Sequence, residues 1–273
     1  MKAAAILLLL ACAGPAAAEP LLVHEGRLFI QAKVNGVATE ALLDSGAEAS
    51  LIDPGLAAEA GLPEGQAITI KGSAGSAAAQ FVEGVPIEAL GLRVQGEGVV
   101  VMDLANLSRR LIKRPTRAIV GRELFDAARL RIDLSGGTIE APDPAQAPPG
   151  RKLALTAHAG IESVPVTVNG VDAQAEFDLG NGSEPMISRG FARRLGLKAG
   201  GRKAGGGIGG EIQRDVVMID RLDLAGKSFR NVTATVDDQP NANAMNIGTS
   251  ILRHFLITSD FKQRAVWLDP VDE

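Results

Sequence analysis

Two Asp-x-Gly triplets contain the residues of this sequence that are best suited to chemistry. The first is Asp44-Ser45-Gly46, and the second is Asp178-Leu179-Gly180, which begins 134 positions later. A carboxylate can act as a general base and a carboxylic acid as a general acid. Two carboxyl groups in contact cannot both ionise cheaply, so they share one proton. What chemistry these residues can do therefore depends on whether the elements around them bring the two carboxyl groups into contact.

The same local pattern precedes each Asp. An Asn-Gly dipeptide lies nine residues before the Asp in both copies, at Asn35-Gly36 and at Asn169-Gly170. Asn-Gly between two alternating apolar runs is the strongest short signal for a β-hairpin with a type I′ turn. Each Asp therefore directly follows the second strand of a predicted hairpin.

The internal repeat continues beyond each Asp. The matching pairs are two short predicted helices (54–62 and 188–197), two glycine-rich segments (71–76 and 200–210), two hydrophobic-Gly elements (118–121 and 245–248) and two closing hairpins whose turns begin at Asp133 and Asp260. A Pro-rich segment, 142–152, separates the copies and is typical of an extended linker. The sequence therefore predicts a lobe at 19–141 and a second lobe at 153–273.

With these elements in place, the sequence resembles the retropepsin-like branch of the aspartic proteases. The resemblance is carried by Asp44-Ser45-Gly46-Ala47 after an apolar strand, by Ile119-Val120-Gly121, and by the glycine-rich segment between them. It implies a mainly β fold of two homologous retropepsin-like lobes, each with one or two short helices, related by a pseudo-two-fold axis. It also implies that Asp44 and Asp178 face each other as a catalytic pair that activates water for peptide-bond hydrolysis. No metal or organic cofactor is expected.

Neighbours of the two Asp residues are expected to support the geometry of the pair: Ser45, Gly46, Ala47, Leu179, Gly180 and Asn181. In the family that the sequence resembles, a hydroxyl at the position of Ser45 binds backbone across the lobe interface. Leu179 has no hydroxyl, which predicts that half of this reciprocal bonding is missing. The side-chain amide of Asn181 is predicted to donate to Asp178 and to favour it as the ionised partner. Because Leu179 departs from the family pattern, the alternative to an active protease is a catalytically degenerate peptide-binding or scaffold protein of the cell envelope.

The glycine-rich segments are predicted to form two flaps over a peptide cleft. The flap residues are Gly72, Ser73 and Gly75 in the first lobe and Gly206, Gly207 and Gly209 in the second. Gly205, Gly207 and Gly210 also match G-x-G-x-x-G, but a strand-like run rather than a helix follows them, which excludes a dinucleotide site. The basic run at 109–117 is interpreted as a solvated face.

Composition excludes several other functions. The net charge of −4 argues against a nucleic-acid partner, and the single Cys excludes a disulfide framework. The three His residues have no helical metal-ligand spacing. The expected partner is therefore a peptide or protein substrate, and the expected state is a monomer.

The first 18 residues have the pattern of a secretory signal peptide. Lys2 precedes a short apolar run, and Ala16-Ala17-Ala18 provides an A-x-A cleavage site. We therefore expect a periplasmic or secreted protein without a separate pro-segment. The alternative is a lipobox at 9–12, in which lipidation of Cys12 would anchor the chain to a membrane.

Overall fold

The computed structural model describes residues 18–271, so the predicted cleavage pattern before Ala18 and the lipobox Cys12 lie outside the described residues. The fold is mainly β. The first half contains β1 (Glu19–Pro20), β2 (Leu22–His24), β3 (Arg27–Val34), β4 (Val37–Leu43), β5 (Leu51–Ile52), α1 (Pro54–Glu59), β6 (Gln66–Gly72), β7 (Gly75–Glu83), β8 (Ile87–Ala89), β9 (Leu92–Val94), β10 (Gly98–Val101), α2 (Ala105–Leu107), a π-helical turn (Ser108–Ile112), β11 (Ala118–Val120), α3 (Arg122–Ala127), β12 (Leu130–Asp133) and β13 (Thr138–Glu140).

Up to residue 271, the second half repeats most of this order, without counterparts of α2 and the π-helical turn. It contains β14 (Arg151–Ala154), β15 (Thr156–His158), β16 (Ile161–Val168), β17 (Val171–Phe177), β18 (Met186–Ser188), α4 (Arg189–Arg194), β19 (Gly201–Gly207), β20 (Gly210–Leu224), β21 (Lys227–Asp237), β22 (Met245–Ile247), α5 (Thr249–Leu252), β23 (Phe255–Asp260) and β24 (Ala265–Pro270). None of the helices in residues 18–271 has the length and apolar character needed to cross a membrane.

Each lobe is built on one large sheet. In the first lobe the strand order is β6-β7-β10-β5-β11-β4-β3-β8-β9, with β2 paired to β3, and in the second it is β15-β16-β17-β22-β18-β21-β20-β19. In both lobes the strand before the Asp pairs in parallel with the strand of the hydrophobic-Gly element, β4 with β11 and β17 with β22. The repeat seen in the sequence is therefore a repeat of strand pairing.

The Asn-Gly hairpins form as predicted. Asn35 and Gly36 have φ values of 46° and 86°, and Asn169 and Gly170 have 48° and 81°. Two consecutive residues with positive φ define the type I′ turn, whose twist matches that of the flanking strands. These turns fix the register that brings each Asp to the end of its strand.

The helices are shorter than the sequence predicts. Helix α1 begins after Asp53, whose side chain accepts a hydrogen bond from the Gly55 amide, and ends at Glu59 rather than at residue 62. Helix α4 likewise ends at Arg194 rather than at residue 197. Gly61 and Gly196 have φ values of 62° and 68°, and a left-handed glycine ends a helix.

A third sheet joins the lobes. Its order is β1-β13-β12-β23-β24-β14, and β12 of the first lobe pairs directly with β23 of the second. As predicted, Asp133 and Asp260 begin the closing turns, since they accept hydrogen bonds from the amides of Gly136 (2.7 Å) and Gln263 (2.9 Å). Main-chain hydrogen bonds therefore hold the lobes together independently of the candidate site.

One buried arginine connects this sheet to the segment between the lobes. Arg129 Nε donates to Asp260 Oδ2 at 3.1 Å, and Arg129 Nη1 donates to the carbonyls of Gln146 (2.7 Å) and Pro144 (3.0 Å). The side chains of Arg129 and Asp260 are 4% and 7% exposed. A buried charge with several partners is destabilising once one partner is lost.

We therefore expect Arg129→Met to lower the free energy of unfolding by about 3 to 5 kcal/mol, because Asp260 would remain buried without its cation. Urea unfolding measures this change. The matched control is Arg131→Met, whose ion pair with Glu140 is 27% and 24% exposed and should be worth about 1 kcal/mol or less. Equal losses in the two variants would contradict the role given to Arg129.

Candidate active site

Asp44 and Asp178 lie at equivalent positions where the two lobes meet. Each directly follows its strand, and the amide of each donates to the neighbouring parallel strand, Asp44 to the Val120 carbonyl at 2.9 Å and Asp178 to the Ile247 carbonyl at 3.1 Å. The two carboxyl groups are within hydrogen-bond reach of each other. The structure therefore brings together the two carboxyl groups that the sequence singled out.

The glycines of the two triplets make this approach possible. A Cβ on Gly180 would lie 2.2 Å from Cγ of Asp44, and a Cβ on Gly46 would lie 3.0 Å from Oδ1 of Asp178. A contact of 2.2 Å cannot exist between heavy atoms that are not bonded. Gly180 is therefore required, because the Asp44 carboxyl group occupies the space of a side chain, whereas a Cβ at Gly46 would be crowded by Asp178 but not excluded.

Ser45 provides a hydrogen-bonded link between the lobes beside the pair. Its buried Oγ donates to the Phe177 carbonyl at 2.8 Å and accepts from the Leu179 amide at 2.9 Å. Leu179 is fully buried in the hydrophobic core, so its side chain makes no such link in return. The link is one-sided, and burial of the Leu179 side chain contributes packing in its place.

A second pair of contacts does cross in both directions. Arg122 and Thr249 each follow the glycine of a hydrophobic-Gly element. Arg122 Nη1 donates to the Gly160 carbonyl at 2.8 Å, and Thr249 Oγ1 donates to the Gly26 carbonyl. Gly26 and Gly160 occupy equivalent hairpin turns, so these contacts follow the pseudo-two-fold relation between the lobes.

The side-chain donor to Asp178 is Asn246, so the prediction that it is Asn181 is wrong. Asn246 Nδ2 donates to Asp178 Oδ2 at 2.8 Å and to Glu176 Oε2 at 3.1 Å. Asn181 Nδ2 instead donates to Asn246 Oδ1 at 2.8 Å, while the Asn181 backbone amide donates to Asp178 Oδ1 at 3.1 Å. Asn181 therefore orients the amide of Asn246. The sequence signal that could have identified Asn246 is its polarity, since the first hydrophobic-Gly element has Ile119 at the equivalent position.

The hydrogen bonds make the two carboxyl groups unequal. Burial, and next the charge of Asp178, raise the pKa of Asp44 from its ordinary 3.8 to about 7, against lowering by the backbone amides of Gly46 and Ala47. Burial also raises the pKa of Asp178, but Asn246, the amides of Asn181 and Gly180, and Asp44 itself oppose this rise. The pair therefore holds its shared proton on Asp44 and its negative charge on Asp178.

The two glycine-rich hairpins meet at their tips. The Ala74 amide donates to the Ile208 carbonyl at 3.2 Å, and a Cβ on Gly72 would lie 2.4 Å from Cβ of Ile208. The predicted flap residues Ser73 and Gly75, and Gly206, Gly207 and Gly209, belong to these two hairpins.

Strand β20 follows the G-x-G-x-x-G glycines, in agreement with the exclusion of a dinucleotide site.

Two arginines that the sequence analysis did not assign to the site contact the hairpins. Arg110 of the π-helical turn donates to the carbonyls of Gly205 (3.3 Å) and Gly207 (3.0 Å), and Arg214 Nη2 donates to the Ser73 carbonyl at 2.8 Å. The interpretation of the whole basic run as a solvated face is therefore wrong for Arg110. Within residues 18–271, no three His, Cys, Asp or Glu side chains come together in a way that could hold a metal ion.

Comparison with known families identifies the arrangement. The family model described as aspartyl protease matches residues 30–124 and 164–252, one segment in each lobe and together well over half of the chain. The chain belongs to the aspartyl protease family. This family member contains two retropepsin-like lobes in one chain.

One similar solved structure is a retropepsin-like aspartic protease from Rickettsia conorii. It is 19% identical in sequence, and the match covers 43% of this chain and 87% of that chain, with a TM-score of 0.34. The comparison with curated proteins gave no match.

Removal of the Asp44 carboxyl should stabilise the protein at neutral pH. In the folded chain the pKa of Asp44 is about 7, so the carboxyl group keeps its proton up to about that pH. In the unfolded chain its pKa is the ordinary 3.8. Because the folded chain binds more protons between these values, its stability falls as pH rises from about 4 to about 7. We expect Asp44→Asn to raise the free energy of unfolding by about 1 to 3 kcal/mol at pH 7 and by less at pH 4.

Urea unfolding of the wild type and the variant at both pH values measures this difference. Asp220→Asn, which changes an exposed carboxylate, serves as the matched control and should be neutral at both. An Asp44→Asn variant that is less stable than the wild type at pH 7 would contradict the buried, protonated carboxyl.

Asn246 should set the lower of the two pKa values of the pair. Asn246→Leu removes the donor to Asp178 Oδ2, so the carboxylate loses stabilisation and the first apparent pKa of the pair should rise. Carboxyl ¹³C NMR titration measures this directly. Asn243→Leu, which removes an amide bonded to Ser163 rather than to the pair, is the control. An unchanged first pKa in Asn246→Leu would show that Asn246 does not tune the pair.

Proposed function

We propose that this protein is an exported aspartic endopeptidase in which Asp44 and Asp178 form the catalytic pair. The observation that carries the proposal is the contact between the two half-buried carboxyl groups, with a side-chain donor, Asn246, that favours the charge on Asp178. Membership of the aspartyl protease family supports the general activity. Export is inferred from the N-terminal signal pattern.

In the proposed reaction, the Asp178 carboxylate takes a proton from a water molecule while the oxygen of that water forms a bond to the scissile carbonyl carbon. The Asp44 carboxylic acid donates a hydrogen bond, and then its proton, to the carbonyl oxygen. The resulting tetrahedral diol breaks its C–N bond as the nitrogen gains the proton held by Asp178, and one hydroxyl of the diol returns its proton to Asp44. The products are a carboxylic acid and an amine, and the pair returns to its single-proton state.

Substrate binding requires movement of the two hairpins. An extended peptide placed against the pair would lie beneath tips that contact each other in this structure. Opening would break the bonds of Arg110 and Arg214 to flap carbonyls, and closing would exclude water from the reaction. Main-chain hydrogen bonding as an added strand would hold the peptide.

Mutation of either carboxyl group provides the decisive test. Cleavage of a peptide library by the mature protein is measured from pH 3 to pH 8, and we expect Asp44→Asn and Asp178→Asn each to reduce kcat/KM at least about a hundredfold. Activity should fall above about pH 7, where Asp44 loses its proton, and again at low pH, where Asp178 gains one. Asp220→Asn should retain the wild-type rate and profile.

The one-sided Ser45 link favours one alternative, a degenerate protein that binds peptides without cleaving them. Peptides that bind but remain intact with folded wild-type protein at every pH would establish that alternative. Loss of cleavage in Asp44→Asn alone would instead indicate that the first lobes of two chains form the site.

A further inference from the structure

A row of six residues crosses the first-lobe sheet on the face that carries Asp44. Each residue in the row is the cross-strand partner of the next one, and the row consists of Phe29, Leu42, Ile119, Leu51, Val100 and Phe81. Leu42 lies two positions before Asp44, so both side chains point to the same face of the sheet. All six members belong to or pack against one apolar cluster, and Leu42 and Ile119 are 2% and 4% exposed. We call this the apolar row.

The second-lobe sheet has a row with the same pairing pattern. It consists of Ser163, Glu176, Asn246, Met186, Thr235 and Val216. Glu176 lies two positions before Asp178, as Leu42 does before Asp44. Four of the six members are polar or charged. We call this the polar row, and it gives the second lobe a chemically different wall beside the same carboxyl pair.

Glu176 is the charged member of the polar row. Its Oε2 accepts from Asn246 Nδ2, and within residues 18–271 no ion pair and no other hydrogen bond reaches its carboxylate. The nearby Asp237 differs, because the buried Arg214 neutralises it at 2.9 Å. Burial, followed by the charges of Asp178 and Asp237, raises the pKa of Glu176 against the bond from Asn246 and the nearby charge of His158, which forms no ion pair with it. A half-buried carboxylate of this kind gains most from a cation supplied by another molecule.

The two rows lie on opposite sides of the scissile bond in the proposed reaction, because each adjoins one carboxyl group of the pair. In this structure the apolar row is covered by its own cluster, which includes Ile208 at the tip of the second hairpin. Once the hairpins open, the row would offer burial to an uncharged side chain, whereas Glu176 would offer a charge-assisted hydrogen bond to an ammonium or guanidinium group. Arg214 is already hydrogen-bonded to Asp237, so it leaves Glu176 available to a cation of the substrate.

We propose that Glu176 determines specificity by binding a Lys or Arg side chain on the second-lobe side of the scissile bond, while the apolar row receives an apolar side chain on the other side. The substrates would then be peptides with one basic and one apolar residue flanking the cleaved bond. This inference rests on the proposed function, since it assigns a substrate class to the same site.

The test uses three peptides that differ only at the two residues flanking the scissile bond: Leu–Leu, Leu–Lys and Lys–Leu. At pH 6, we expect wild-type protein to cleave one of the two basic peptides about 10- to 100-fold more efficiently than Leu–Leu, the range for a hydrogen bond to a charged group. Which basic peptide is preferred identifies the direction in which the substrate lies.

Glu176→Gln should remove this preference. The readout is the ratio of kcat/KM for the preferred basic peptide to that for Leu–Leu, so a general loss of rate transmitted through Asn246 cancels. Glu83→Gln removes an exposed carboxylate from β7 and should leave the ratio unchanged. A wild-type preference for Leu–Leu, or a basic preference that persists in Glu176→Gln, would overturn the proposal.

A binding measurement separates failure of this inference from failure of the proposed function. Calorimetry gives the Kd of Asp44→Asn protein for the same three peptides, with and without Glu176→Gln. Tighter binding of a basic peptide that depends on Glu176 would support the specificity role even if the wild type cleaved none of them. Equal binding of all three would overturn the role, whatever the result for cleavage.

Discussion

Burial of Asp44 against Asp178 is the constraint on which the rest of the site depends. Two carboxylates in contact within a buried site repel each other and have lost much of their hydration, so one of them must hold a proton. Both carboxyl groups accept hydrogen bonds from backbone amides, but only Asp178 has an additional side-chain donor, Asn246. Two backbone amides and Asn246 stabilise charge on Asp178, and the pKa of Asp44 rises to about 7. Gly180 leaves the space that the Asp44 carboxyl group occupies, and Gly46 relieves the tighter packing against Asp178.

The lobes are held together by features that do not depend on this pair. The third sheet places strand β12 directly against strand β23, and Arg129 connects Asp260 to the segment between the lobes. Arg122 and Thr249 add contacts in both directions. With these contacts in place, loss of one hydroxyl link at Leu179 removes a bond worth about 1 kcal/mol without separating the lobes. The carboxyl pair can therefore keep its geometry although the Ser45 link is one-sided.

Local features of the sequence predicted the hairpins and the positions of the two Asp residues. Asn35-Gly36 and Asn169-Gly170 fix their own turns, and the resemblance to retropepsin-like proteases supplied the pairing of Asp44 with Asp178. The donor to Asp178 was not predictable in the same way. Asn181 is adjacent in sequence, whereas Asn246 reaches Asp178 only because β22 pairs in parallel with β17.

The third sheet and the contacts of Arg110 were not predicted, for a related reason. Strands β12 and β23 lie far apart in the chain, and no local pattern indicates that they pair. The Arg110 side chain lies in a basic run that has the composition of a solvated surface, yet it bonds to flap carbonyls of the other lobe. Long-range contacts of this kind depend on where the whole chain places two segments.

The differences between the lobes are possible because both are in one chain. In a symmetric dimer of identical chains, every residue near the axis occurs twice. If such a dimer had a Glu at the position that Leu42 and Glu176 occupy here, two further carboxylates would lie beside the pair. They would oppose the ionisation of both Asp residues. Here the change occurs once, next to the ionised Asp178, together with Asn246, which bonds both carboxylates. The covalent connection also keeps the lobes at high effective concentration, so the second wall can diverge in chemistry while the first keeps its apolar surface.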